Sequence, residues 1–325
     1  MKKHYANLRW LLGCIFMLWL LNSCSSETAY VREDVKEVEE IAKFAPFNIT
    51  IDHAKARVSF VQTPIPFEMD LSTDKHTSDI RLIEEVIGKD IPLKVFVYKG
   101  TNQIAKVLLG TEQDILDYRK DLVSIDSDIM NRPDPSLISI FPDEATLMSV
   151  FNMIVNNSCS NNNQAGCLTF QFATDGCNAR AHKMKQILNS NGYNCQKHYI
   201  FGDLLASANS CCTQWIYHTA PLVLVRNSNN VVEERIIDPS LFSAPVTPEV
   251  WRAGCQNSVC VFNPNFEFGP TSYKTVPGIV FNYDPMSMSF RLDSDYFRTD
   301  CTLGVYQNQS GCSFPNPLPP ENCQN

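Results

Sequence analysis

The sequence lacks the patterns that mark several common functional classes. It has no glycine loop that could cradle a phosphate, no internal repeat and no CxxC pair, so it offers neither a nucleotide-binding loop nor zinc-ribbon spacing. Positive charge is also scarce, because 27 Lys and Arg stand against 35 Asp and Glu, a net charge of −8. This balance gives no general attraction to nucleic acid, which we exclude as a partner.

An apolar run does occur at the N-terminus, but it is too short to span a membrane well, and the sequence has no second candidate span. Basic residues precede Trp10–Leu21, and Asn22-Ser23-Cys24 follows. This order is typical of a signal peptide, and the cysteine after the cut site resembles the lipobox of bacterial lipoproteins. We therefore expect residues 1–23 to be removed and Cys24 to be the lipid anchor of an exported membrane lipoprotein, periplasmic or at the cell surface, until processing releases it. The alternative is an ordinary secretory signal that is cut nearby.

The cysteines are unevenly distributed. Of 13 cysteines, none lies between Cys24 and Cys159, and eleven follow from Cys159 onward. An odd number leaves at least one unpaired unless an intermolecular bridge forms, and five disulfides with a free Cys177 is the economical solution. Plausible local bridges are Cys159–Cys167, Cys255–Cys260 and Cys312–Cys323; the partners of Cys195, Cys211, Cys212 and Cys301 stay open. Zinc binding is the competing use, but adjacent Cys211-Cys212 is poor ligand geometry.

Composition divides the rest of the chain into a tether, two α+β units and a linker. Residues 24–46 are polar and acidic and are expected to be a tether, with a frayed helix at Val35–Lys43. Residues 47–125 contain no cysteine and alternate between strand and helix patterns, which predicts a small α+β unit. Residues 126–136 include Pro133 and Pro135, so they are expected to be an exposed, cleavable linker. Residues 137–325 are the cysteine-rich unit.

Local patterns also place individual elements. In the first unit they predict strands at Ile49–Ile51, Ala56–Val61, Leu93–Tyr98 and Gln103–Leu109, and helices at Ser78–Ile87 and Thr111–Leu122, the second capped by Thr111 with Asp114 three residues on. The second unit begins with a helix that ends near Asn156. Its core stripe is Leu147, Val150, Phe151 and Ile154.

Cys177 lies where a reactive thiol would be favoured. It follows Asp175-Gly176, a tight turn, and begins a helix that carries Ala181, Met184 and Leu188 on the same face. Backbone N–H groups at a helix N-terminus carry partial positive charge and stabilise a thiolate. The competing interpretation is a disulfide or a packed thiol, which is common in a cysteine-rich exported protein.

A base and a carboxylate are expected to come from one hairpin. His218 lies within the strand Trp215–Val225, Asp238 ends the strand that begins at Val231, and residues 226–230 carry a turn signal. Folding the hairpin about Ser228 places Asp238 opposite His218, where cross-strand side chains lie about 5 Å apart. With Cys177 as nucleophile, this is the residue set of Cys–His–Asp acyl transfer.

Three segments resemble the secreted bacterial protein-glutaminases, the protein-glutamine deamidases. They are Asp175–Met184, Trp215 with Tyr217-His218, and Arg235–Ser243, and shorter matches include Cys211-Cys212 and Trp251-Arg252. The resemblance covers roughly Leu137 to the C-terminus. It implies an α+β catalytic domain related to the transglutaminase and papain-like core, preceded by an N-terminal prodomain, which fits residues 47–125. Ile216 and Thr219, which flank His218, depart from the family pattern and bear on substrate preference.

The resemblance places the family's catalytic residues on Cys177, His218 and Asp238. It implies hydrolysis of the side-chain amide of protein-bound glutamine to glutamate and ammonia through a thioester. Trp215, Tyr217 and Ser240 are expected to line the substrate cleft. No metal or organic cofactor is expected. The expected partners are proteins or peptides with an exposed glutamine, the chain's own prodomain as inhibitor, an activating protease, and the membrane through the lipid anchor.

Other functions use the same residues. A transglutaminase would pass the acyl group to lysine, a cysteine protease would cut peptide bonds, and a surface binding protein would use Cys177 only structurally. Gln171, six residues before Cys177, has the spacing of an oxyanion glutamine in papain-like enzymes and is a weaker candidate. His182 is expected to face away from Cys177 because it lies about 140° around the helix. His198 is expected on a strand without a carboxylate partner.

Overall fold

The computed structural model describes residues 36–325 except 121, 125–137, 163, 209, 262–267, 270, 321–322 and 324–325. The signal peptide, Cys24 and the linker 126–136 lie outside these residues. The strands are β1 (Val38–Phe44), β2 (Pro46–Asp52), β3 (Lys55–Phe60), β4 (Thr63–Asp70), β5 (Leu93–Tyr98), β6 (Ile104–Leu109), β7 (Leu122–Ser124), β8 (Ile140–Phe141), β9 (Gln196–Ala208), β10 (Cys211–Arg226), β11 (Val232–Ile236), β12 (Ser272–Pro277), β13 (Val280–Tyr283) and β14 (Ser289–Leu292). The helices are α1 (Thr77–Val86), α2 (Glu112–Lys120), α3 (Glu144–Asn156), α4 (Cys177–Ser190), α5 (Pro248–Gly254) and α6 (Phe297–Tyr306), with short 3-10 helices at Asp74–His76 and Ser258–Cys260.

Two three-stranded antiparallel sheets and α1 build the N-terminal unit. One sheet has the order β1-β5-β6 and the other β2-β3-β4. Along β5, residues alternate between buried and half-buried, as the period of two predicts. Phe44, Phe60 and Val95 from the sheets meet Ile83 and Val86 of α1 in one apolar core. The expected α+β character is confirmed. The strands expected at 56–61, 93–98 and 103–109 agree within about one residue, and the one expected at 49–51 lies within β2, which begins three residues earlier.

Two local predictions for this unit are wrong, and one of its strands was not predicted. The frayed helix at Val35–Lys43 is wrong, because Val38–Phe44 is β1 and pairs with β5; part of the expected tether therefore belongs to a sheet. Strand β4 is not predicted by pattern, because Pro64 and Pro66 interrupt it. In its sheet β4 lies at the edge, beside β3, and prolines are tolerated on such an edge strand.

Helix α2 begins as expected. The Asp114 N–H donates to Thr111 Oγ1 at 3.2 Å and the Thr111 N–H donates to Asp114 Oδ2 at 2.8 Å, the reciprocal bonds of a capping box. The helix ends at Lys120 rather than Leu122, and Leu122–Ser124 forms β7. The cause is distant in sequence, because β7 pairs with β14. The local sequence around Leu122 therefore could not predict this strand.

The C-terminal unit is organised around a five-stranded sheet. Its order is β11-β10-β9-β12, antiparallel, with β8 added parallel to β10. Helices α3 and α4 cover one face, where Leu147, Met184 and Leu188 pack with Val223 and Val225. The four predicted core residues of α3 are buried, which confirms its stripe. Fully burying a Met or Leu stabilises by about 1.5–3 kcal/mol each, so Leu188→Ala is expected to destabilise the fold by about 2–5 kcal/mol.

The β10–β11 hairpin has a different register from the one expected. Leu222 faces Ile236, a displacement of two residues, and β11 ends before Asp238. The turn is wider because the Asn227 side chain accepts the N–H groups of Asn229 and Val231. A displacement of two keeps every side chain on its face of the sheet. Asp238 therefore still reaches His218, although the two are not opposite each other in a ladder.

Four disulfides connect the C-terminal unit. Cys159–Cys167 is confirmed, whereas Cys255–Cys260 and Cys312–Cys323 are wrong. The other bonds are Cys211–Cys312, Cys212–Cys260 and Cys301–Cys323. Adjacent residues of a strand point to opposite faces, so Cys211 and Cys212 bond to different segments. The count of five disulfides is also wrong, because Cys177, Cys195 and Cys255 are all buried and unbridged.

Residues Val38–Asn325 pack as one unit, and the two α+β parts share a core. Ala45, Phe47, Val61 and Tyr118 from the N-terminal part lie in the same cluster as Cys177, Phe201 and Tyr217. In return, Phe314 and Leu318 pack against the N-terminal core. None of the helices in the described part of the chain is both long enough and apolar enough to span a bilayer.

Candidate active site

Cys177 is the first residue of α4, as expected. Gly176 before it has φ 78°, a left-handed conformation that favours glycine, and an added Cβ would lie 3.0 Å from the Tyr306 ring. The cysteine is 2% exposed. Burial raises the pKa of the Cys177 thiol to about 12, although the Arg180 charge and the Thr219 N–H lower it. The helix terminus therefore does not produce a thiolate while the site is covered.

His218 and Asp238 form a buried pair. His218 Nε2 donates to Asp238 Oδ2 at 2.8 Å, and both side chains are nearly inaccessible. Ser240 donates both its N–H and its hydroxyl to the other carboxylate oxygen. Burial alone would raise the pKa of Asp238, but the His218 charge and the bonds from His218, Ser240 and Trp251 hold it below its usual value. The carboxylate is thus kept ionised beside the imidazole.

Two tryptophans fix the plane of the imidazole. The Trp215 ring stacks on His218 at 4.2 Å between centroids, with an 8° interplanar angle, and the Trp251 ring lies at 5.5 Å and 22°. Trp215 can share a face with His218 because the strand has a bulge between Trp215 and Tyr217. The two indole N–H groups have different acceptors: Trp215 donates to Ala173 O, and Trp251 donates to Asp238 Oδ2. Sequence reasoning missed the Trp251 contact; its only signal was the Trp251-Arg252 motif.

The other imidazole nitrogen remains available. Among the described residues, no group forms a hydrogen bond to His218 Nδ1, although the atom is buried. The N–H of Thr219, the residue after His218, lowers the pKa of the Cys177 thiol. Cys177 also packs in one buried cluster with Ile216 and Tyr217 of the strand that carries His218. Trp215 and Asp238 both contact His218, and Ser240 is a hydrogen-bond donor to Asp238.

Polar residues next to Cys177 in sequence form a second network. Asn178 donates its amide to Tyr217 Oη at 2.8 Å and also to Asn282 Oδ1. Asp175 Oδ2 accepts the Tyr306 hydroxyl at 2.8 Å and the Thr63 hydroxyl at 3.1 Å, and burial raises the pKa of Asp175. Sequence reasoning missed Asn178, Asn282 and the role of Asp175, because their partners are distant in sequence.

The turn between β3 and β4 covers this pocket. Tyr217 donates its hydroxyl to Val61 O at 3.1 Å, Thr63 binds Asp175, and Gln62 borders a cavity of about 20 Å³ with Gly176 and Asn178. Gln62 Oε1 also accepts the Ala45 N–H. Three consecutive residues of the N-terminal unit therefore close the site.

The weaker candidates lie elsewhere. Gln171 donates its amide to Gln307 O at 3.0 Å. His182 is buried between Lys197 Nζ and Asp293 O, and burial lowers the pKa of His182 to about 2. His198 lies on β9 and contacts Thr275 Oγ1 rather than a carboxylate. The described residues hold no cluster of His, Cys, Asp and Glu suited to a metal ion.

Known proteins resemble this chain in sequence and in fold. A family model described as Glutaminase matches residues 147–255. The crystal structure of a pro-protein-glutaminase is 36% identical, with a TM-score of 0.76, and the match covers 87% of this chain and 97% of that chain. A mutant of pro-protein-glutaminase is 35% identical, with a TM-score of 0.76 and coverage of 87% and 98%.

The protein-glutaminase from Chryseobacterium proteolyticum, solved by NMR, is 45% identical, with a TM-score of 0.50, and the match covers 56% of this chain and 96% of that chain. No curated protein matches the sequence. The match to the pro-form extends over both α+β parts at 36% identity. The chain therefore belongs to the protein-glutaminase family and is an amidohydrolase of that family.

Proposed function

We propose that this chain is the precursor of an enzyme that hydrolyses the side-chain amide of protein-bound glutamine, with Cys177 as nucleophile, His218 as acid and base, and Asp238 as the group that orients His218. One observation carries the proposal. An unbridged cysteine at a helix N-terminus packs in one buried cluster with Ile216 and Tyr217, the residues just before His218 of the buried His–Asp pair. Such a nucleophile, base and orienting acid are the elements of thiol acyl transfer.

The reaction has two steps. His218 Nδ1 takes the thiol proton, the sulfur attacks the amide carbon, and the proton passes to the departing ammonia, which leaves a thioester on Cys177. The Cys177 N–H, which has no partner within the helix because it is the first of α4, is a donor for the oxyanion. His218 then activates water, which cleaves the thioester and releases the substrate protein with a glutamate side chain in place of the glutamine. Asp238 stays ionised and stabilises the imidazolium.

The N-terminal unit acts as an inhibitor in this proposal. We assign residues 47–125 as the prodomain, 126–136 as the cleavable linker and 137–325 as the catalytic domain; β1 extends the prodomain to residue 38. The Val61–Thr63 turn occupies the pocket, so an activating protease must cut the linker before substrate enters. The four disulfides are typical of an exported protein, and we propose Cys24 as its lipid anchor.

Ammonia release from an intact protein substrate tests the function. The precursor, the precursor cut within 126–136, and the cut Cys177→Ala variant are compared, with Cys195→Ala as a matched control because Cys195 is also buried and unbridged. We expect ammonia and the deamidation mass shift only from the cut wild type and the Cys195→Ala variant. Cross-linked products would indicate a transglutaminase, fragments a protease, and the absence of all three a binding protein.

A further inference from the structure

Aromatic residues of β9 and β10 form a surface in the same buried cluster as Cys177. The ring of Phe47, from the N-terminal unit, packs against this surface. Phe47 of β2 is 6% exposed. Its ring meets Phe201 edge to face at 6.2 Å between centroids and Tyr217 at 6.5 Å. Phe201 in turn stacks on Tyr199 at 5.6 Å with an 8° interplanar angle. Phe47 thus occupies a site built from the rings of β9 and β10.

This surface continues into an open groove. A cavity of about 480 Å³ is bordered by Phe47, Phe201, Ile216 and Met286. Met286 is 57% exposed, whereas Ile216 is 3% exposed and shares a core cluster with Cys177. The bulge at Trp215–Tyr217 allows Ile216 and Tyr217 to face the same cluster. The groove therefore adjoins, through Ile216 and Phe201, the buried cluster that contains Cys177, and it opens toward solvent at Met286.

The groove has a charged edge. Arg57 of β3 forms an ion pair with Asp203 of β9, and both residues border the cavity. When the N-terminal unit leaves, Asp203 loses this partner and Phe201 and Tyr217 lose the Phe47 ring. A released catalytic domain then presents an apolar, aromatic site with a carboxylate at its edge.

We propose that this site, formed by Phe201, Ile216 and Tyr217 and called here the aromatic subsite, binds an aromatic side chain that flanks the target glutamine. This proposal rests on the proposed function and adds the substrate class. The occupant in the precursor, Phe47, shows which chemistry fits. Burial of a large apolar side chain supplies the affinity, and edge-to-face contacts favour an aromatic ring. An acidic residue at this position is disfavoured by Asp203.

The test uses the processed precursor and short peptides that contain a single glutamine. In one series, Phe is placed in turn at each position within about three residues on either side of the glutamine, which corresponds to about 10 Å in an extended chain. At each position, matched peptides carry Ala or Glu in place of Phe. Ammonia release gives kcat/KM. We expect one position at which Phe exceeds Ala by about tenfold, within the range that one apolar contact can supply, and Ala exceeds Glu.

Two variants test whether the preference for Phe peptides depends on the aromatic subsite. Phe201→Ala is expected to reduce the Phe-to-Ala ratio toward one, whereas Phe297→Ala, a matched change at an exposed position of α6, keeps the wild-type ratio. Equal rates for Phe and Ala peptides at every position, or an unchanged ratio in Phe201→Ala, would overturn the subsite. No ammonia from any peptide or protein would instead overturn the proposed function, so the two failures are distinct.

Discussion

Trp251 donates its indole N–H to Asp238 Oδ2 at 2.8 Å, the same oxygen that accepts the His218 Nε2–H. This donor helps to hold the pKa of Asp238 below its usual value. Its role differs from that of Trp215, although both rings stack on His218. The two tryptophans therefore offer a matched pair of substitutions.

We predict that Trp251→Phe shifts the acidic limb of the pH–rate profile to higher pH. Removal of the donor raises the pKa of Asp238, so the carboxylate is lost earlier as the pH falls, and kcat decreases by about tenfold because a bond to a charged group is lost. Trp215→Phe keeps the Asp238 bond and is expected to leave the limb in place. Identical profiles for the two variants would contradict the assignment of Trp251.

Asp238→Asn is expected to lower kcat by about 10³–10⁴-fold with little change in KM. The amide cannot stabilise the imidazolium, and it can bind the wrong tautomer of His218. Steady-state kinetics on a single-glutamine peptide measure the effect. Asp300→Asn, which removes an ion pair with Lys183 at the surface, is the matched control and should retain activity. Retained kcat in Asp238→Asn would exclude an orienting role.

The thiol of Cys177 is expected to react slowly with an alkylating reagent in the precursor. It is buried, and its pKa is raised to about 12, so near pH 8 almost none of it is thiolate. After the linker is cut and the prodomain is released, we predict that the rate rises by about 100-fold or more. Peptide mapping identifies the residue, and Cys195 and Cys255 should remain unreactive. An equally reactive precursor would show that the prodomain does not protect the site.

A substitution of Thr63 tests whether the turn between β3 and β4 blocks the site in the precursor. Thr63→Val removes the hydroxyl that donates to Asp175 and leaves a buried carboxylate with one partner fewer. A lost hydrogen bond of about 1 kcal/mol favours the open form by roughly fivefold. The uncut Thr63→Val precursor is therefore expected to be roughly fivefold more active than the uncut wild-type precursor. Gel analysis confirms that both precursors are intact. Thr77→Val on the exposed side of α1 should behave as wild type; no difference between the variants would refute this contact as a latch.

Much of the fold could be predicted because its signals are local. The alternation in β5, the capping box of α2 and the apolar stripe of α3 each depend on residues within a few positions. The placement of Cys177 at a helix start also follows from a local signal, the Asp175-Gly176 turn. These elements form from short-range chemistry, and their boundaries agree within one or two residues.

The remainder depends on partners that are distant in sequence. Strand β7 exists because β14 lies beside it, and the disulfides of Cys211 and Cys212 follow from opposite strand faces and not from short spacing. The contact between His218 and Asp238 was predicted correctly from a hairpin register that is wrong by two residues. A shift of two residues leaves each side chain on the same face of the sheet, so the contact still forms. Trp251 and Thr63 reach the site from other elements, and no local pattern could place them there.

The central claim is that Cys177 carries the acyl group of a glutamine during the reaction. The processed enzyme can be mixed with a single-glutamine peptide, quenched with acid within the first turnover, and measured by intact mass spectrometry. We predict an adduct on Cys177 with the mass of the peptide less one ammonia, which disappears at later times as the deamidated peptide accumulates. Deamidation without any adduct, or an adduct that also forms in Cys177→Ala, would contradict the account.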